Sequence, residues 1–213
     1  MMKYLKYSAE RFPLPGVILY AGSLYWMSYS FAGIFEYADR WSAMDFIMGC
    51  IVFFLVFLHL RIFDEHKDYE KDRIAYPERM LSRGEISLRD LRKVLYPTLI
   101  IEGILSFLLG MRVFTVWLLI VVWTLLMLKE FFVPVFLNKR IGLYLVSHQL
   151  LVPIMTAFPI MQRNDLSIGA KEWAAFASFS LATMCLTMTY EIARKTWSKD
   201  REQENADSYT KEW

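Results

Sequence analysis

Residues 43–72 read AMDFIMGCIVFFLVFLHLRIFDEHKDYEKD, and the change of character inside that stretch decides the fold class. From Phe46 to Leu60 there is no Asp, Glu, Lys or Arg, whereas from Arg61 onward charged residues crowd together. A helix rises about 1.5 Å per residue, so residues 43–63 are long enough to cross a hydrocarbon layer of about 30 Å. Working outward, residues 12–35, 113–128, 141–162 and 173–190 also lack charged side chains. Without water in the bilayer core, a helix is the economical way to satisfy the backbone, and the period-two alternation of a barrel is missing. The sequence therefore predicts an all-α, polytopic transmembrane helix bundle of about six spans. They run over 14–35, 43–63, 92–110, 113–137, 141–161 and 172–190. The fourth is the least regular, because Lys129 and Glu130 interrupt it and Pro134 follows; a kink or an interfacial end is expected there.

Composition agrees. Of 213 residues, 56% are hydrophobic and 22% charged, an apolar share above that of ordinary soluble domains. The long uncharged runs argue against a nucleic-acid binder with a basic surface, whereas the net charge of +2 says nothing about partners because the charges are segregated along the chain. Cys50 and Cys185 lie in apolar runs without CxxC spacing and read as small buried hydrophobes, so no disulfide scaffold is expected. The basic start, MMKYLKYSAERFPLPG, has no separate short apolar core with a cleavage site, so the first span reads as an uncleaved anchor. Only Arg40, Arg112, Arg163 and Lys171, of 24 Lys and Arg, fall in the other three connections. The rest share the termini, the 61–93 connection and the fourth-to-fifth connection, which places both termini and the long connection in the cytoplasm. Residues 1–213 read as a single integral membrane domain, and the tail KDREQENADSYTKEW looks like an interior loop.

The 61–93 connection reads as a helical extension to about Tyr76, a turn near Pro77, and a helix start at Ser87 with Asp90 three residues on. On a helix, Asp64, Asp68 and Asp72 drift only about 40° per step and line one face, with Glu65 on its flank. Like charges so spaced ask for a counter-charge. A hard divalent cation such as Mg²⁺ is one answer, since it uses one or two carboxylates together with a substrate's phosphate oxygens. A solvated helix laced with salt bridges is the other, because Lys67 and Lys71 interleave with the acids. Arg73, Arg79 and Arg83 follow the stripe, and a second mixed cluster, YEIARK from Tyr190 to Lys195, lies at the same end of the sixth span. Two charged clusters above an apolar, aromatic interior suit an amphiphile with a phosphate head.

DEHKDYEKD followed by PERMLSRGEIS resembles the first aspartate-rich motif and adjoining loop of the UbiA family of intramembrane prenyltransferases. The family's pattern falls here on Asp64, Glu65, Asp68 and Asp72, with Arg79 in its Arg-Pro position and Met80 in place of the proline. LYLVSHQLLVPI, residues 143–154, resembles the fifth helix of some members. Two departures stand out. The family's second motif corresponds to Glu191 and Lys195, so a lysine stands where a carboxylate is expected, and members carry nine spans where six are read here.

The resemblance implies transfer of a prenyl chain from an allylic (poly)prenyl diphosphate to an acceptor, assisted by Mg²⁺. It implies metal ligation by Asp64, Asp68 and Asp72, the catalytic stripe, with Glu65 and Glu191 contributing. Lys67, Arg73, Arg79, Arg194 and Lys195 are then the diphosphate contacts. A non-catalytic polytopic protein, either a partner-binding remnant or a transporter-like bundle, is the alternative. Within the spans, Glu102 would orient an acceptor or pair with a neighbouring helix. His148 would bridge helices or meet substrate, and His59 reads as a satisfied interior histidine. No Walker loop, GxGxxG, HExxH or GxSxG is found, nor the pattern of the CDP-alcohol transferases.

Overall fold

The computed structural model describes residues 2–35, 42–163 and 169–196. Arg40 and the tail from residue 197 lie outside them. A short helix, α1 (Met2–Arg11), precedes α2 (Leu14–Ala32), whose first turn carries Pro15. Then come α3 (Ala43–Lys67) and α4 (Tyr69–Ala75), α5 (Leu88–Leu108) and α6 (Met111–Leu128). A 3₁₀ turn at Glu130–Phe132 leads to α7 (Pro134–Asn138), α8 (Ile141–Gln149), α9 (Leu151–Arg163) and α10 (Ala170–Lys195). The described residues contain no strand.

Each expected span is helical over most of its length, and the ends follow local chemistry. Ser42 caps α3 by accepting from the Asp45 amide, and Ser87 with Asp90 closes the anticipated capping box on α5. The fourth span stops at Leu128 rather than near 137. Glu130, Phe131 and Phe132 all take left-handed φ angles of 46°, 53° and 60°, an uncommon run for non-glycine residues. Pro134 then opens α7, where its missing N–H costs nothing. The fifth span is two collinear pieces broken at Leu150, because Pro153 has no N–H to offer the carbonyl of Gln149.

Among the described residues, three stretches are long and apolar enough to cross a membrane: α3, α6 and the α8–α9 pair. Helices α5 and α10 are long enough but carry charged residues, and α2, which carries none, is diluted by glycine, serine and tyrosine. The chain is an integral membrane protein built as a helical bundle. Helix α3 is central, packing against α2, α5 and α6, while α9 packs against α2, α6 and α10. The main core gathers Tyr25, Val52, Phe53, Val56, Ile120 and Phe158. At Gly49 a Cβ would stand 2.1 Å from the Tyr25 hydroxyl oxygen, so glycine permits this approach. Tyr25 in turn donates to Gln162 at 2.8 Å, tying α2 to α9. Cys50 is half-buried and Cys185 exposed, and both are free thiols; the expectation of burial fails for Cys185, which sits on the outer face of α10.

Candidate active site

The acidic stripe keeps its face despite a break. Helix α3 ends at Lys67 and Asp68 adopts φ −96° and ψ 6°, yet the Asp68 amide still bonds the Asp64 carbonyl at 2.8 Å. The Asp72 amide repeats this with the Asp68 carbonyl at 2.8 Å. All three aspartates consequently line one cavity of about 600 Å³. Its far rim is the end of α10, with Glu191, Arg194 and Lys195, so the two charged clusters anticipated at adjacent helix mouths face the same space. Below the rim the walls turn apolar, with Leu24, Phe57, Leu60 and Met155 among them.

Not every carboxylate in this region is open. Asp72 is clamped by the Arg79 guanidinium, and Arg11 approaches it at 3.4 Å. Arg79 also lies 3.5 Å above the Tyr76 ring, which fixes its plane. Glu191 pairs with Arg194 at 2.8 Å and Lys195 at 3.1 Å. These cations outweigh burial and hold its carboxyl below the usual range. Glu65 is rotated about 100° from Asp64 around the helix axis. It is buried, accepts from Arg11 at 2.8 Å and does not reach the cavity. Arg73 points outward, exposed beside Glu70 at 3.4 Å, and also stays off the cavity wall.

The remaining two, Asp64 and Asp68, face the cavity without an arginine clamp. Burial, reinforced by the negative charges of Asp64 and Asp72, pushes the Asp68 carboxyl up to about 6 even though Lys67 and Lys71 oppose it. Such a carboxylate is short of positive charge. Among the described residues, no three His, Cys, Asp or Glu side chains stand close enough to form a ready-made metal cage. The convergence expected of Asp64, Asp68, Asp72, Glu65 and Glu191 is thus narrowed to two carboxylates, because arginine and lysine already occupy the other three.

Deeper in the cavity lies a group that the stripe did not announce. Lys67 donates to the Tyr144 hydroxyl at 2.7 Å and its Nζ stands 3.5 Å from His148 Nε2. The Tyr144 and His148 rings are stacked with centroids 4.0 Å apart. Their i, i+4 spacing on α8 was visible in the sequence, but their meeting with Lys67 needed the packing of α8 beside the end of α3. Arg11 was missed as well, since an N-terminal basic residue reads as a topology signal. Glu102 and His59, by contrast, find each other. His59 Nδ1 lies 2.9 Å from the Glu102 carboxylate, the Trp117 indole donates to the same carboxylate at 2.9 Å, and both Glu102 and His59 are fully buried.

No protein-family model and no curated protein sequence matches the chain. Among solved structures, one described as giving insight into digeranylgeranylglyceryl phosphate synthase in membranes superposes with a TM-score of 0.68 at 17% identity. The two chains share a fold. The match covers 92% of this chain and 63% of the synthase, so the chain spans less than two thirds of that protein's length. The bundle expected from the resemblance is therefore found, and the likeness at this identity speaks for the fold alone.

Proposed function

We propose that the protein is a UbiA-type intramembrane prenyltransferase. It would move a prenyl chain from an allylic diphosphate to an acceptor, with Mg²⁺ at the cytoplasmic mouth of the bundle. The observation that carries this reading is the cavity itself: unclamped Asp64 and Asp68 on one wall, cations on the opposite rim, and apolar walls below. A diphosphate needs the rim and a hydrocarbon tail needs the walls. The fold shared with the structure described for digeranylgeranylglyceryl phosphate synthase agrees with this.

The residues fit Mg²⁺. It takes one or two carboxylates and completes its shell with water and phosphate oxygens, and the raised affinity of Asp68 for protons marks a carboxylate that wants a cation. Asp64 and Asp68 would hold the ion, which when bound would neutralise the diphosphate as it leaves. Asp72 and Glu191 hold Arg79, Arg194 and Lys195 at the rim, where these cations meet the diphosphate oxygens. Lys195 so placed supplies directly a positive charge that a carboxylate would have recruited through a metal. The aromatic walls, including the Tyr20–Phe57 pair with centroids 5.4 Å apart, keep water from the allylic cation.

The test is Asp68→Asn in membranes supplied with geranylgeranyl diphosphate. Mg²⁺-dependent diphosphate release should fall at least about a hundredfold, as when a group that stabilises transition-state charge is removed. Release at the unmodified rate would leave the stripe as a solvated, ion-paired surface and the bundle as a non-catalytic one.

A further inference from the structure

Between α6 and α8 the chain turns its apolar side chains outward. Glu130, Phe131 and Phe132 take consecutive left-handed φ angles, a conformation that persists in non-glycine residues only where the surroundings hold it. The turn sends the two phenylalanines in opposite directions. Phe131 faces inward, its ring 5.3 Å from that of Trp123 and 6.0 Å from that of His148. Phe132 faces outward and is 73% exposed, and Val133, Pro134, Val135 and Phe136 continue the exposed run, Val135 at 68%. Leu137 is buried again and fastens α7 to the bundle. Five consecutive apolar residues are thus displayed just beyond a membrane-spanning helix. They lie at the same end of the bundle as the acidic cavity, whose wall includes Tyr144 and His148.

Cations frame this run. Lys129 precedes it and Lys139 and Arg140 follow, all three exposed, and the Arg140 guanidinium lies 4.1 Å above the Phe136 ring. Glu130 is the one acid between residues 129 and 162, and among the described residues none of these four charged groups takes part in an ion pair. We propose that residues 129–140 form a binding site for an anionic phospholipid of the leaflet that borders the acidic end of the bundle. The apolar run meets the acyl chains, and the three cations meet the phosphodiester and the net negative charge of the headgroup. Charge decides the occupant. A second copy of this chain that set the same segment against this one would bring like charges together, and a zwitterionic lipid offers the cations no net charge. Stacked on Phe136, the Arg140 guanidinium keeps its in-plane N–H donors for a phosphate at the level where ring meets headgroup. The same occupant accounts for the left-handed run: Phe131 secures it from the protein side, and acyl chains cover Phe132 from the other. The site stands whether or not the cavity transfers prenyl chains.

The experiment places a fluorophore on Val135→Cys in the full chain, with Cys50→Ala and Cys185→Ala so that it reacts at one position. The protein is reconstituted in phosphatidylcholine vesicles doped with equal minor fractions of brominated phosphatidylglycerol or brominated phosphatidylcholine, whose bromines quench on contact. Phosphatidylglycerol should quench at least about threefold more strongly. Raising the salt from about 0.15 M to about 1 M shortens the Debye length from about 8 Å to about 3 Å and should erase the difference. Lys129→Gln, Lys139→Gln and Arg140→Gln together should erase it too, while quenching by brominated phosphatidylcholine remains. The salt arm keeps all three cations and so does not depend on the folding of that variant. Equal quenching by the two lipids at the lower salt overturns the headgroup site and leaves apolar insertion only. Quenching by neither overturns it as well, because water or another protein surface then covers the run. A preference that survives both the salt and the substitutions overturns the role given to these cations.

Discussion

Two sets of carboxylates sit on the central helices of this bundle, and their surroundings differ in kind. Glu102 is fully buried between α3, α5 and α6, accepting from His59 on one side and Trp117 on the other, and its own side chain lines neither the acidic cavity nor the apolar groove that Gly103 and Trp117 help to form. The approach is close enough that a Cβ on Gly103 would stand 2.8 Å from the Trp117 ring. Asp64 and Asp68 have no such pair of donors and open on about 600 Å³ of space. A carboxylate in a membrane protein needs a partner in either case. Where the protein supplies it, the group holds helices together; where it does not, the vacancy belongs to something that comes and goes. The contrast can be broken or sharpened by removing one carboxylate of each kind, and the largest effect is the collapse of Mg²⁺-dependent diphosphate release in Asp68→Asn.

The sealed site should answer in stability. Glu102→Ala leaves the His59 and Trp117 donors unsatisfied away from water, and about 3 kcal/mol of stability should be lost, read as unfolding of detergent-solubilised protein. Glu102→Gln keeps an acceptor oxygen and should lose about 1 kcal/mol. Diphosphate release per folded molecule should be unchanged in both, and a fall of the Asp68→Asn kind would give Glu102 a chemical role.

The helices were legible because hydropathy, proline and capping signals are local. The capping box of Ser87 and Asp90 and the break before Pro134 could be placed without knowing what packs beside them. The site was half legible. The four-residue spacing located Asp64, Asp68 and Asp72, but sharing a helix face does not say which acids arginines have already taken. That depends on Arg11 arriving from α1 and Arg79 folding back from the following loop, both non-local events. The same holds for His59 and Glu102, which are 43 residues apart in sequence and in hydrogen-bond contact in space.

A subtler test concerns proton linkage at the open site. Without metal, Asp68 is raised from the ordinary carboxylate range to about 6 by burial and by its acidic neighbours. Between roughly pH 4 and pH 6 the folded state then binds more protons than the unfolded one, so stability should fall as pH rises through that window. Asp68→Asn removes the titrating group and should flatten this slope, which pH-dependent thermal unfolding in chelator can read. A slope that persists in the variant would move the strained carboxylate elsewhere.

The smallest effect on chemistry is expected one residue from the stripe, and it is the most discriminating. Glu65 follows Asp64 directly and falls on the aspartate-rich motif, yet its carboxylate is turned into the protein and bonded to Arg11 at 2.8 Å, with Arg61 at 4.0 Å. If openness to the cavity decides function, Glu65→Gln should behave like Glu102→Gln and unlike Asp68→Asn. The amide oxygen still accepts from Arg11, but a charge-assisted bond becomes a neutral one, so the hold of α1 on α3 should weaken by about 1 kcal/mol. The Mg²⁺ concentration for half-maximal diphosphate release should not move. A several-fold rise in that concentration would mean that the carboxylate swings into the cavity when the ion binds, and motif position rather than the geometry seen here would then define the ligand set.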